Sequence, residues 1–356
     1  MLIESIEVVP TTLRLRIPYR SAYHTGGPVE QIGVVFIRIE TRQGQTAWGC
    51  AAFDPAITGE TLESVTAACN RCADRARDLN ALNLEYALSE LEPLAQGTPS
   101  ALCAFDIAFH DLLGLATGQP LHRLLGGYRD RIQTSITVSI APVYETVEMA
   151  RDRVRQGFRL LKLKGGLDAD EDVQRVRAVG DALPNITLRL DADGGYTVAQ
   201  AIEVARALDG RLEMLEQPVS AEAGVEALRM VREQSPLPIL ADQSAIGPAS
   251  ALRLASHRAV DGISIKLATS GGIRQAQQMD AIARAAHMAT MVGCVHEPAL
   301  LIAAELAFAL SSPAVRYGDL DGYVDLVGDP THPRFEMREG WLVATDVPGL
   351  GCTVEL

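Results

Sequence analysis

The chain has 356 residues, 47% of them hydrophobic, which suffices for one large core and a smaller second one. A formal net charge of −13 and a pI near 5.0 disfavour phosphate backbones and anionic membranes, and no local basic patch offsets them. The opening MLIESIEVVP lacks a basic stretch followed by a long apolar one, and no uninterrupted apolar run approaches about 18 residues, so the expectation is a cytoplasmic protein that binds neither nucleic acid nor membrane.

Residues 1–125 read as an α+β layer. IESIEVVPTTLRL and GVVFIRIETRQGQTAWGCAAF are rich in β-branched residues and strand-like, with Gly44 at the turn between two strands. Helical stretches follow near 60–80 and 100–117, the second carrying Leu102, Phe105, Phe109 and Leu112 on one face. In the first, Leu62, Val65, Cys69, Cys72, Ala76 and Leu79 recur at spacings of three and four, the stripe of a core-facing helix. The Cys69–Cys72 pair is therefore expected to be packing, because no second CxxC or nearby His completes a zinc site. Six cysteines in so long a chain are not a disulfide framework. Pro120 and the pair Gly126–Gly127 punctuate the sequence and suggest a domain boundary.

From about 132 onward strand and helix alternate. The strand candidates are IQTSITVS, FRLLKLK, ITLRLDAD, LEMLEQP, LPILADQ, DGISIKLA, MATMVGC and VRYGDLD, eight in all. Repeated βα units of this length predict a parallel barrel over 126–321, although spacing alone leaves a doubly wound sheet open. Residues 322–356 add no further unit, end in PGLGC, and are expected to fold back and complete the first domain.

Asp191, Glu216 and Asp242 each close an apolar run, at intervals of 25 and 26 residues, about one strand-helix unit. In a barrel their carboxylates converge at the C-terminal mouth, and such oxygen ligands suit a hard divalent cation such as Mg²⁺. Lys162 and Lys164 precede the trio and Lys266 follows it. Alternation along a strand turns Lys162 and Lys164 to one side, as it does Asp319 and Asp321. Neighbouring ammonium groups beside a dication are expected to pull a lysine pKa down toward the working pH of a general base. Bases on opposite faces of one carbon permit racemisation or epimerisation, and a cation that accepts the charge of an enediolate points to a carboxylate substrate.

KLK, LDAD, EQP, ADQS and IKLATSGGI on successive strands resemble the enolase superfamily, muconate lactonizing enzyme subgroup. The likeness spans essentially the whole chain, including AFDIAFHDLLGLATGQPLHRLLGG at the junction and the closing PGLG. Within the subgroup TVS at 137–139, MVGC at 291–294 and GDLDG at 318–322 resemble dipeptide epimerases of the L-Ala-D/L-Glu type. The resemblance implies an α/β fold, a modified (β/α)7β TIM barrel with an N-terminal α+β capping domain. It further implies one Mg²⁺ per subunit on Asp191, Glu216 and Asp242, with Lys164 and Lys266 as the acid/base pair and Lys162 near the substrate carboxylate. Asp319 and Asp321 suit a free α-ammonium, so the expected substrate is a dipeptide or related amino-acid carboxylate, with Thr137 and Cys294 beside it. His296 on the inward register of the seventh strand is expected to line the pocket. His24 stands where Ala-Glu epimerases carry a loop arginine, so a Glu side chain loses its obvious partner. Asp193 where an Asn is common, and Gln243 where a Glu usually follows the third ligand, are expected to shift lysine pKa values. The expected assembly is a homo-oligomer. Competing readings are another enolate-forming reaction (muconate-type cycloisomerisation, N-acylamino acid racemisation or o-succinylbenzoate synthesis, dehydration) and a catalytically silent barrel protein.

Overall fold

The computed structural model describes residues 1–356. The N-terminal part holds three antiparallel strands, β1 (Ile3–Tyr19), β2 (Val29–Thr41) and β3 (Thr46–Ala52). A single turn α1 (Pro55–Thr58) follows, then α2 (Leu62–Ala76), α3 (Leu84–Leu91), α4 (Pro99–Thr117) and α5 (Leu121–Leu124). Helix α2 opens on a reciprocal cap between Thr61 and Ser64, and α4 starts on Pro99 and stops at Gly118 in the left-handed region. Strand β2 is buried on both faces: Val34 and Phe36 join the barrel-side core, while Val35, Ile37 and Ile39 pack with α2 and α4. The sheet is thus sandwiched between helices and barrel. Gly49 permits the close approach of α4, since a Cβ there would lie 1.9 Å from the Ala104 carbonyl oxygen. Cys69 and Cys72 are buried on α2 with free thiols, as the stripe predicts. Helix α4 is long and apolar enough to cross a membrane, but 78% of that stretch is buried within this fold.

After the short β4 (Arg131–Gln133) comes the repeating part: β5 (Ile136–Val138), α6 (Val143–Arg155), β6 (Leu160–Lys164), α7 (Ala169–Ala182), β7 (Thr187–Asp191), α8 (Val198–Ala207), β8 (Leu215–Glu216) and α9 (Gly224–Gln234). It continues with β9 (Ile239–Ala241), α10 (Pro248–Ser256), β10 (Gly262–Ile265), α11 (Leu267–Ser270), α12 (Ile273–Ala285), β11 (Ala289–Val292), α13 (Ala299–Ala309) and β12 (Val315–Gly318). The eight strands β5 to β12 lie side by side in sequence order, all parallel. A bridge between Thr134 and Gly318, with Ser135 N–H donating to the Gly318 oxygen, joins last strand to first and closes the barrel. All eight strand candidates are therefore present, seven of them followed by a helix that covers the sheet.

The C-terminal segment divides its contacts. Strand β13 (Leu326–Val327) adds to the free edge of β1, with Leu15 opposite Leu326. Strands β14 (Thr331–Pro333) and β17 (Cys352–Val354) pair with each other, and the hairpin β15 (Glu336–Arg338) and β16 (Trp341–Val343) pairs with β4. Capping part and barrel are also joined at α12, whose first amides at Ile273 and Arg274 donate to the Asp106 carboxylate of α4 at 2.9 and 3.1 Å.

Candidate active site

Strands β7, β8 and β9 deliver Asp191, Glu216 and Asp242 to one rim of the barrel, where carboxylate oxygens of the three lie within 4.8 Å of one another. All three residues are buried. Neither Glu216 oxygen has a hydrogen-bond donor in good geometry, although Lys162 Nζ lies 2.8 Å from Oε2. Burial, then Asp191, pushes the Glu216 carboxyl up to about 8, whereas against its own burial Lys162 and Lys164 hold Asp191 below the ordinary carboxylate range. Clustered hard oxygen donors with unmet acceptor capacity fit a divalent cation of the Mg²⁺ class.

The loops behind this trio are tightly built. Asp193 and Gln217, each just past a ligand position, hold left-handed backbone with φ of 47° and 37°. The Gln217 amide joins two loops: its Nε2 donates to Val219 O at 2.7 Å and Ser244 Oγ at 2.8 Å, and its Oε1 accepts from the amides of Asp242 at 2.9 Å and Ser244 at 3.2 Å.

Lys162 and Lys164 project together into the barrel mouth. Lys162 Nζ lies 2.9 Å from Asp191, 2.8 Å from Glu216 and 2.7 Å from Asp319. Lys164 Nζ sits 2.8 Å from both Asp191 and Asp193, whereas Lys266 Nζ is 2.7 Å from Asp242. Two amines thus stand at opposite ends of the acidic trio. The expected downward pKa shift is not produced by the protein's own groups. Burial acts to lower all three lysines, but Asp191, Asp319 and Glu216 hold Lys162, Asp191 and Asp193 hold Lys164, and Asp242 holds Lys266 above the ordinary lysine value.

Lys164 and Lys266 are braced from behind. Arg175 of α7 donates through Nη2 to the Lys164 carbonyl at 2.7 Å and grips Asp172, which also accepts from Gly166 N–H at 2.7 Å and from the Tyr196 hydroxyl. Glycines let the adjoining loops touch, for a Cβ on Gly195 would meet the Gly166 carbonyl oxygen at 2.0 Å. On the other side Leu267 N–H donates to Glu305 of α13 at 3.2 Å. Glu305 and Glu297 are both fully buried, and burial pushes both carboxyls up, Glu297 to about 8.

The substrate-facing positions gather around one cavity of about 430 Å³ that includes Thr137, Lys162, Lys164, Lys266, Cys294, His296, Asp319 and Asp321. Asp321 accepts from Thr137 N–H at 2.6 Å and lies 3.7 Å from Cys294 Sγ; burial, then Asp319, pushes its carboxyl up to about 6. The His296 ring packs edge-on against Tyr19 with centroids 4.5 Å apart, and burial lowers its pKa to about 4, so the ring is neutral at pH 7. His24 also lines the cavity, but its Nδ1 meets Ser21 Oγ at 3.0 Å and its Nε2 meets Asp54 at 3.1 Å, which occupies both nitrogens. Gln243 reaches Asp193 Oδ1 at 3.4 Å, tying together the two positions that depart from the subgroup pattern.

Sequence reasoning missed Ser135, whose hydroxyl donates to Asp319, and Arg189, which lies under the site and donates to Gly318 O at 2.9 Å and Glu213 at 2.7 Å. A charged residue two places before Asp191 in an apolar strand was the available signal for Arg189. Tyr19 and Tyr23 of the loop PYRSAY carry no pattern that marks them as cavity walls.

Residues 3–126 match the family described as mandelate racemase / muconate lactonizing enzyme, N-terminal domain, and residues 145–355 match enolase C-terminal domain-like. The chain is 36% identical over 354 residues to L-Lys-D/L-Arg epimerase of Desulforapulum autotrophicum, with 99% of each chain covered. It is 32% identical to L-Ala-D/L-Glu epimerase of Clostridium acetobutylicum, covering 99% of this chain and 98% of that one. Among solved structures, a dipeptide epimerase from Enterococcus faecalis complexed with Mg and the dipeptide L-Leu-L-Tyr superposes with a TM-score of 0.95 at 31% identity, covering 99% of this chain and 100% of that one.

Proposed function

From the premise that this chain belongs to the mandelate racemase / muconate lactonizing enzyme family, with its enolase-like barrel, we propose that it is a Mg²⁺-dependent dipeptide epimerase, an isomerase that inverts the α-carbon of the C-terminal residue. The observation that carries this reading is the placement of Lys164 and Lys266 at opposite ends of the acidic trio. In it Asp191, Glu216 and Asp242 hold the cation. Bound there, Mg²⁺ supplies positive charge for the electron density that reaches the substrate carboxylate as the α-proton leaves.

One lysine, as the free amine, takes the α-proton from its face, and the other, as the ammonium, returns a proton to the opposite face. Lys162 steadies the carboxylate end of the substrate. Asp319 and Asp321 receive the α-ammonium of the N-terminal residue, with Ser135 and Thr137 N–H holding those carboxylates in place. Cyclisation, ring opening or dehydration would have no use for an ammonium clamp. Residues 1–125 serve as the cap and 126–321 as the catalytic barrel; of 322–356, expected to complete the cap, β13 adds to β1 whereas the β15–β16 hairpin joins β4 of the barrel part. The reading includes a cytoplasmic homo-oligomer whose partner is a small molecule.

Incubation with L,L-dipeptides and Mg²⁺ in D₂O tests it. Deuterium enters the C-terminal α-position and the epimer accumulates, both lost on chelation; absence of exchange across a dipeptide library refutes the proposal.

A further inference from the structure

The wall of the cavity, as distinct from its floor, is built so that no charge is left over. The floor carries Lys162, Lys164, Lys266, Asp193, Asp319 and Asp321, the groups that face the substrate backbone and the cation site. The wall holds six further groups of ionisable type, besides the neutral His296 and the tyrosines, and each has its partner within the protein. Asp54 meets His24 Nε2 through Oδ2 at 3.1 Å and accepts from the Ala56 amide through Oδ1 at 2.9 Å. Arg153 clasps Asp325 with both terminal nitrogens, Nη1 to Oδ1 at 3.3 Å, and Arg155 pairs with Asp152. What remains between these pairs carries no charge: the apolar and aromatic Ile17, Tyr19, Tyr23, Ile57, Met149 and Val295, with Ser21, Ser139 and Gln156 as the neutral polar groups. Tyr19 lies over Lys164, with Nζ 6.0 Å from its ring centroid, so this surface adjoins the reacting carbon of the proposed mechanism.

We infer that the residue whose α-carbon is inverted carries an uncharged side chain, apolar or aromatic. The inference rests on the epimerase reading and narrows it. A carboxylate or ammonium pushed against the buried part of this wall would lose water and gain no counter-charge, because taking one from His24–Asp54 or Arg153–Asp325 strands the other member, whereas Arg155–Asp152 lies in water at the rim. An apolar side chain meets surface that already excludes water. His296, whose pKa burial lowers to about 4, offers an anion no counter-charge at pH 7.

The test compares deuterium exchange for L-Ala-L-Leu, L-Ala-L-Phe, L-Ala-L-Glu and L-Ala-L-Lys with the Mg²⁺-loaded protein. The neutral pair is expected to exceed both charged dipeptides in kcat/KM by about tenfold or more. Faster exchange of the Glu or Lys dipeptide overturns the inference and leaves the epimerase reading intact, whereas no exchange with any dipeptide overturns the reading itself. Two variants probe the pairing directly. Asp54→Asn strips His24 of its carboxylate and shifts the ratio toward the Glu dipeptide; His24→Gln strips Asp54 of its base and shifts it toward the Lys dipeptide. Ratios unchanged from wild type in both folded variants count against the inference.

Discussion

Lys164 and Lys266 end strands of the same barrel rim, yet opposite chemistry braces them. Behind Lys164 stands an internally compensated network, in which the Arg175 guanidinium is matched by Asp172 and completed by Tyr196 and the Gly166 amide. Behind Lys266 stand two buried acids, Glu305 and Glu297, whose carboxyls burial pushes up and which no cation matches from behind. The front sides differ as well, for Lys164 touches two carboxylates and Lys266 one. The difference teaches that matched catalytic roles do not need matched supports, and that the two halves of the reaction can be disturbed separately.

The largest effect should come from the lysines themselves. Lys164→Ala and Lys266→Ala each are expected to cut exchange from one epimer by about 10²–10⁴-fold, with a different epimer affected in each case. Measuring deuterium uptake from L,L- and L,D-dipeptides separately checks this, and loss of exchange from the same epimer in both variants breaks the comparison.

An intermediate effect is expected at Arg175. Arg175→Lys keeps the charge but replaces the rigid guanidinium whose Nη2 reaches both the Lys164 carbonyl and Asp172 by a flexible amine that is not held in that place. Exchange on the Lys164 face should fall by about tenfold to a hundredfold, while the Lys266 face changes little. An equal fall on both faces would mean that Arg175 supports the barrel in general.

The smallest effect is one of stability. Burial pushes Glu297 up to about 8 and holds Glu305 well above the ordinary glutamate value, with Glu297 reinforcing the shift. A carboxyl whose folded-state pKa is raised contributes stability that is complete below its unfolded value, about 4.3, and is lost as pH rises through the folded one. Wild-type Tm should therefore decline between about pH 5 and pH 8. Glu305→Gln should flatten that decline, by about 2–4 °C for each kcal/mol recovered. A parallel decline in the variant assigns the pH dependence elsewhere.

The barrel was legible because every strand is a short apolar run with a chemically distinctive end, and because parallel strands buried on both faces tolerate little else. The acidic trio and the lysines were legible from register alone, since period-two alternation decides which side chains enter the mouth. Supports were not. Arg175 serves Lys164 from a helix 11 residues on, and His24 is bonded to Asp54 across 30 residues, separations that carry no periodic signal. The C-terminal segment escaped for a similar reason: β16 finds its partner in β4, some two hundred residues earlier, through tertiary geometry alone.

Gln217, with every capacity of its amide used between the loops that follow β8 and β9, sets the spacing of Glu216 and Asp242 through hydrogen bonds of the protein's own. The two acid-bearing loops are thus pre-spaced by the backbone, and loading should call chiefly for the Lys162 and Lys266 amines to give way at Glu216 and Asp242. Chelator should strip activity in a way that is quickly reversed on adding Mg²⁺, with the circular dichroism of the emptied protein unchanged throughout.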